Sequence, residues 1–215
     1  VTGFFNTPPI FTTMASLVEI SNFALGEVAE QNIQTLDDAT TPAIQCKRFI
    51  YQTIREVLSS AKWKCARDEA ELAQDATAPL FGWEYSYNLP SDFLRIVSFN
   101  DVDPDNVVEE LFEVRGRRLV TDEATCNIIY IKDMTLDGST GAMPPLMVKA
   151  VYLSLAAKLA WSIQQNRTLK EGLETAAEVS LRKAKSADAR EEIRPLVNRA
   201  TQSNWLQGRY SSTNG

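Results

Sequence analysis

The chain has 215 residues, 44% of them hydrophobic and 23% charged, the proportions of a globular fold with a sizeable core and not of a disordered chain. It contains no histidine, which removes the usual general base, the Ser-His and Cys-His pairs and the commonest zinc ligand together. The net charge of −6 is uneven, since residues 151–215 carry ten Lys and Arg against six Asp and Glu, a net of +4, while the rest carries −10; an acidic body grips nucleic acid poorly, because phosphates need a basic face.

Residues 1–13, with Pro8, Pro9 and scattered aromatics, read as an extended N-terminal arm. A secretory signal is not expected there, since a charged start and a continuous apolar core are missing. A helix is predicted from about residue 13, with Met14, Leu17, Val18, Ala24, Leu25 and Val28 as its apolar stripe. Gly26 marks its last turns. After the loop NIQTLDDATTP, Thr41 is the expected N-cap and Pro42 the first residue of a second helix. That helix carries Ala43, Cys46, Ile50, Ile54, Val57, Leu58 and Ala61 at helical spacing, with Trp63 closing its apolar end.

The period then changes. WEYSYNL, FLRIVSF, LFEVRGRRLVT and CNIIYIKD are short runs rich in aromatic and branched residues, with Gly116 in a hairpin turn over residues 115–118. They predict a small antiparallel sheet of four to five strands between Pro79 and Asp133. Pro144 and Pro145 open a third helix, apolar nearly all round to about Gln165 and so expected in the middle of a bundle. It is interrupted by Lys149 and Lys158 and is too short for a membrane span. TLKE (168–171) has the capping-box form, with Thr168 as the cap of a fourth helix that reaches about Ile193 and carries Leu173, Ala177, Leu181 and Ala184 inward. The last residues form a polar tail with aromatic anchors.

Two helices from each end are therefore expected to close one bundle: a mainly α fold (α+β) with a four-helix bundle-like core and a small antiparallel sheet inserted between helices two and three. The expected divisions are the arm (1–13), helices one and two (14–78), the β subdomain (79–135), helices three and four (144–194) and the C-terminal tail (195–215).

Motifs for chemistry are weak. Neither GxGxxG nor GxxxxGK[ST] occurs. Asp101, Asp103 and Asp105 alternate as in a calcium loop, but Pro104 intervenes, Asn106 stands where the sharp turn needs Gly, and Phe112 where a bidentate Glu is required. Carboxylate pairs that could hydrolyse a glycosidic bond are inevitable among 28 acidic residues and carry no information. Cys46, Cys65 and Cys126 are odd in number and far apart. They are read as idle thiols in a reducing compartment. A helix-turn-helix from the first two helices would have to accommodate a connection much longer than usual. No cofactor and no metal is expected.

The segment YSYNLPSDFLRIVSF (85–99) resembles the signature region of the tail tubular protein A family, the head-to-tail adaptors of short-tailed, podovirus-type bacteriophages. Around it, in order, stand LGE (25–27), TLDD (35–38), YQTIREVL (51–58), AKWKCA (61–66), RLVTDEATCNIIYIKD (118–133), LAAKLAW (155–161) and KAKSADAREE (183–192), so the resemblance covers residues 17–209. The chain departs from it at ALGEVAEQNIQTLDD, where Val28 and Gln31 replace a proline turn. In the segment itself, Tyr85 and Tyr87 alternate on one strand face and Leu89 closes it. Pro90 fixes the corner, Asp92 is placed to bond turn amides, and Phe93, Leu94 and Ile96 begin the partner strand. These residues are expected to be the structural hinge that anchors an inserted sheet on a bundle, not a catalytic motif.

The resemblance implies a non-enzymatic virion protein at the head-tail junction, made in the host cytoplasm, that forms a dodecameric ring between the portal protein and the tail nozzle (a tubular protein B-like protein). DNA would pass through its channel without specific binding, and no membrane is involved. Trp205, Arg209 and Tyr210 are the candidate docking tail. The alternatives are another tail or connector component of the same phage module and, behind it, a tail-associated cell-wall hydrolase.

Overall fold

In the computed structural model, which describes residues 15–106 and 111–190, helix α3 (Pro145–Ser162) is the axis on which the other helices pack. Its apolar side chains point in nearly every direction, and Met147, Val151, Leu155 and Leu159 are fully buried. Helices α1 (Leu17–Glu27), α2 (Thr41–Ser59) and α4 (Arg167–Arg190) each lie against it. Such an all-round apolar helix is stable only when surrounded.

The helix starts differ from expectation by a few residues, for local reasons. Helix α1 begins after Ser16, whose backbone is extended; its hydroxyl accepts from Glu19 N at 3.2 Å and the Glu19 carboxylate accepts from Ser16 N at 2.9 Å. This reciprocal box fixes the start, later than residue 13. Thr40, not Thr41, caps α2 by accepting from Ala43 N, so Thr41 is already helical and Pro42 follows it. Asn166, not Thr168, caps α4, accepting from Leu169 N at 3.0 Å, while Glu171 pairs with Arg167 one turn back at 2.8 Å. Beyond α2 the indole of Trp63, 1% exposed, donates to Val57 O at 2.7 Å and closes the apolar end of that helix as expected.

Among the described residues between α2 and α3 stand six strands: β1 (Arg67–Glu71), β2 (Tyr85–Asn88), β3 (Phe93–Phe99), β4 (Glu113–Arg115), β5 (Arg118–Thr121) and β6 (Asn127–Lys132). They form two three-stranded antiparallel sheets, ordered β1-β6-β3 and β2-β5-β4. This corrects the expected single sheet. It also moves the start of the β region back from Pro79 to Arg67, because β1 (RDEAE) pairs along its whole length with β6. As a charged edge strand with no apolar alternation, β1 carries no strand signal of its own.

Strands β6 and β3 of the inner sheet are covered on both sides. Ile129 and Ile131 of β6 and Leu94 and Val97 of β3 join the helical core, whereas Ile128, Tyr130, Ile96 and Phe99 join a second core with Tyr87, Leu89 and Leu119. The molecule is thus layered: helices, an inner sheet, and an outer sheet β2-β5-β4. A strand covered on both faces reads as a continuous apolar run, which is what NIIYI is. The coarse expectation of helices plus a small antiparallel β region between α2 and α3 therefore holds as a mixed α+β fold with four helices among the described residues.

Candidate functional site

The segment 85–99 does not form a hairpin. Strand β2 pairs with β5 in the outer sheet and β3 with β6 in the inner one. The Pro90 corner therefore steps the chain from one layer to the next, and Phe93 does not begin a partner strand for β2. The reason lies in the partners: β6 offers an apolar strand buried on both faces, and the 115–118 hairpin, with Gly116 at φ +65°, presents β5 to β2.

The corner is held from several sides. Phe93 N donates to Pro90 O at 3.2 Å, Leu89 N donates to Arg117 O at 3.0 Å, and the Arg117 guanidinium donates to Pro90 O. The Asp92 carboxylate does not cap turn amides as expected; it accepts from the Tyr130 hydroxyl at 3.2 Å. Burial, with the Asp92 charge beside it, pushes the Tyr130 phenol up to about 12. Asp92 O accepts from Asp133 N at 2.7 Å. The Asp133 carboxylate, 4% exposed, in turn accepts from Arg55 Nε of α2 at 2.5 Å and from Thr135 N and Oγ1 at 3.0 and 2.6 Å.

A chain of contacts therefore runs from the outer sheet through the corner to the long helix α2. Leu94 packs into the helical core, while Phe93, whose ring centroid lies 6.0 Å from that of Tyr130, packs into the second core. Tyr87 is buried and donates its hydroxyl to Glu123 O at 2.9 Å, Leu89 is buried beside it, and Tyr85 is half-buried with its phenol raised by the neighbouring Glu84 carboxylate. The candidate hinge residues Tyr85, Tyr87, Leu89, Pro90, Asp92, Phe93 and Leu94 are thus brought together. Trp205, Arg209 and Tyr210, the N-terminal arm, and Met14 and Ile193 lie outside the described residues.

Sequence reasoning missed Arg55, Arg117, Tyr130 and Asp133. Arg55 and Asp133 are 78 positions apart, and nothing in either neighbourhood marks the pairing. The tight turn at Asn100 and Asp101 was missed as well, Asp101 having been considered only in a calcium-loop pattern: both residues take the left-handed backbone, at φ +45° and +64°, between Phe99 and Val102, a conformation that Asn and Asp tolerate.

Two groups of residues that could carry chemistry, the acidic loop and the cysteines, are engaged structurally or buried. Asp103 and Asp105 take Lys62 Nζ at 2.5 and 2.8 Å, and Asp105 also takes Arg95 at 3.3 Å, so that acidic loop is charge-paired. Burial pushes the thiols of Cys46 and Cys126 up to about 11 and about 12, far from the thiolate a nucleophile needs. No cluster of three acidic or cysteine ligands suited to a metal ion occurs among the described residues, and no helix among them is long and apolar enough to cross a membrane.

Among the described residues, two groups of exposed apolar side chains stand out. Leu80, 96% exposed, and Phe81, 74% exposed, project from the β1–β2 connection, with Val114 exposed on β4. On the helices, Phe23, Ile44, Leu146 and Trp161 are open to solvent, Phe23 lying 5.6 Å from the Tyr152 ring. A comparison with protein-family models and with curated proteins returns no match.

Proposed function

We propose that this chain is a structural virion protein of a short-tailed bacteriophage: one subunit of a head-to-tail adaptor ring that joins the portal to the tail nozzle and surrounds the DNA exit channel. The observation that carries the proposal is the ordered run of motifs over residues 17–209 that resemble the tail tubular protein A family, together with a folded chain in which a helix pair, a β region and a second helix pair follow one another. In this reading the helices form a bundle that builds the ring wall, and the β layers are an insertion that reaches a neighbour or the nozzle. The corner around Pro90 is the joint that carries load from insertion to bundle, with Asp133 and Arg55 as its anchor.

A closed ring of identical subunits needs two different faces that complement each other. Exposed apolar side chains on the β1–β2 connection and, separately, on the helices are consistent with that requirement. The acidic balance outside residues 151–215 suits a channel that DNA slides through without being held.

The test is reconstitution. The protein is mixed with portal rings from the phage that encodes it and imaged by negative-stain electron microscopy. The reading expects a second ring coaxial with the portal. Portal rings that stay bare at saturating protein contradict it.

A further inference from the structure

The helical cover of the inner sheet runs out at one end. On β1, Arg67, Glu69 and Glu71 alternate onto the helix-facing side, opposite Ile131, Ile129 and Asn127 of β6. Exposure rises along that row: Ile131 is fully buried, Ile129 half-buried and Asn127 exposed. The last turns of α4, with Lys185, Asp188 and Ala189, wall the Arg67 end. Two clefts, of about 350 Å³ under α4 and about 300 Å³ beyond it, share Ser98, Asp101 and Ile129. Together they make one groove that runs along the sheet away from α4.

The unpaired charge of the groove changes sign along its length. The charged residues of the half under α4 are Lys62, Arg67 and Lys185 with Asp101, Asp103 and Asp188. Two of those carboxylates are engaged: Asp103 takes Lys62, and Asp188 accepts from Lys64 N at 3.1 Å. Arg67 and Lys185 stand in no ion pair among the described residues. The Arg67 Nη2 donates to Lys62 O at 3.2 Å, but its Nε is shielded from water and has no acceptor. A buried donor left so costs free energy and points to an acceptor outside the described residues. In the far half the charged lining residues are Glu69, Glu71 and Asp101, which have no ion-pair partner among the described residues.

The described chain ends at Arg190, one residue past Ala189 on the groove wall. The sequence that follows, EEIRPLVNR (191–199), carries its charges in the order of the groove. Glu191 and Glu192 come first, then apolar Ile193, Leu196 and Val197 with Arg194 and Arg199, and residues 193–215 hold no Asp or Glu. We infer that residues 191–199 of the same chain occupy this groove as an extended strap. Glu191 and Glu192 meet Arg67 and Lys185, the apolar side chains lie over Ile129, and Arg194 and Arg199 reach Glu69, Glu71 and Asp101. Nine extended residues span about 30 Å, against about 13 Å from Arg67 to Glu71, so reach does not limit the contact. Pro195 suits an extended strap and opposes a continued helix. The contact lies within one chain and does not rest on the ring reading.

The test is made on the full chain carrying Ser98→Cys, on the groove wall, and Asn198→Cys, treated with a short bismaleimide. Both exchanges are neutral and leave every charge of the contact in place. The two single variants serve as blanks for the native thiols, of which Cys65 is half-buried and Cys46 and Cys126 are buried. The expected result is a link between positions 98 and 198 at monomer mass, at several-fold the yield of either blank and falling as salt is raised. Arg194→Glu with Arg199→Glu is expected to lower the link to the blanks, and Glu69→Arg with Glu71→Arg added to that chain is expected to restore it. Restoration by the swap cannot come from a chain that has failed to fold. Four results overturn the inference. A yield no higher than the blanks leaves the groove without the strap, and a link at dimer mass alone gives it to a second copy. A link that charge reversal leaves unchanged reduces it to the proximity of any tethered segment. A swap that restores nothing while the circular dichroism spectrum stays that of the wild type removes the charge pairing.

Discussion

Separating Arg55 from Asp133 tests whether the corner is anchored as described. The Asp133 carboxylate is 4% exposed and Arg55 46% exposed, so the pair lies between two regimes. Exposed pairs contribute about 0–1 kcal/mol, and removing one partner of a fully buried pair costs about 3–5 kcal/mol. After Arg55→Ala, Asp133 keeps both Thr135 donors, and the half-exposed guanidinium was already screened by water. The expected loss is therefore about 2 kcal/mol, below the buried limit. Asp133→Asn keeps the shape of the site but removes its charge. In a double-mutant cycle with Arg55→Ala, the expected coupling is about 1–1.5 kcal/mol. The assay is urea unfolding followed by far-ultraviolet circular dichroism, with the midpoint shifting and the slope unchanged. A coupling under about 0.3 kcal/mol, the scatter expected of independent sites, would refute the anchor.

Three further perturbations probe other parts of the fold. Ser16→Ala removes the α1 capping box and is expected to cost about 1 kcal/mol, with faster hydrogen exchange at the Glu19 amide. Gly116→Ala places a Cβ in open space but at φ +65°, so the expected cost is the backbone term alone, about 1 kcal/mol, whereas Gly26→Ala inside α1 is expected to stabilise by ~0.5–1 kcal/mol. Cys46, Cys126 and Tyr130 have folded values raised to about 11, 12 and 12, so the unfolded chain releases these protons first as pH rises. Their contribution is complete below pH 9 and is lost from there toward pH 12. Unfolding free energies from urea titrations at pH 8 and 10.5 should differ by about 1–3 kcal/mol, and Cys126→Ala should reduce that difference; a flat profile contradicts the burial of these groups.

How much of this was legible in the sequence depended on whether a signal is local. The all-round apolar pattern of α3 announces a surrounded helix, and the stripe of α2 from Ala43 to Leu58 gives its inward face. Cap positions slipped because Thr40 and Thr41, or Asn166 and Thr168, compete within two residues for the same role. The layering was hidden. NIIYIK says only that a strand is buried, not that one face meets helices and the other a second sheet. The charged strand RDEAE shows itself only through its ladder with β6. Of the candidate site, the Pro90 corner was visible as a corner, because proline fixes a turn locally. Where it led was not, since Arg55, Arg117 and Asp133 come from distant parts of the chain.

The central claim is an adaptor present in the particle at the copy number of the portal. Quantitative mass spectrometry of purified particles of the source phage, normalised to the portal protein, measures it directly. The account predicts equal occupancy, about twelve copies of each on the ring logic. Absence from the particle, or one or two copies, would contradict it and return the chain to the hydrolase and other tail-component readings.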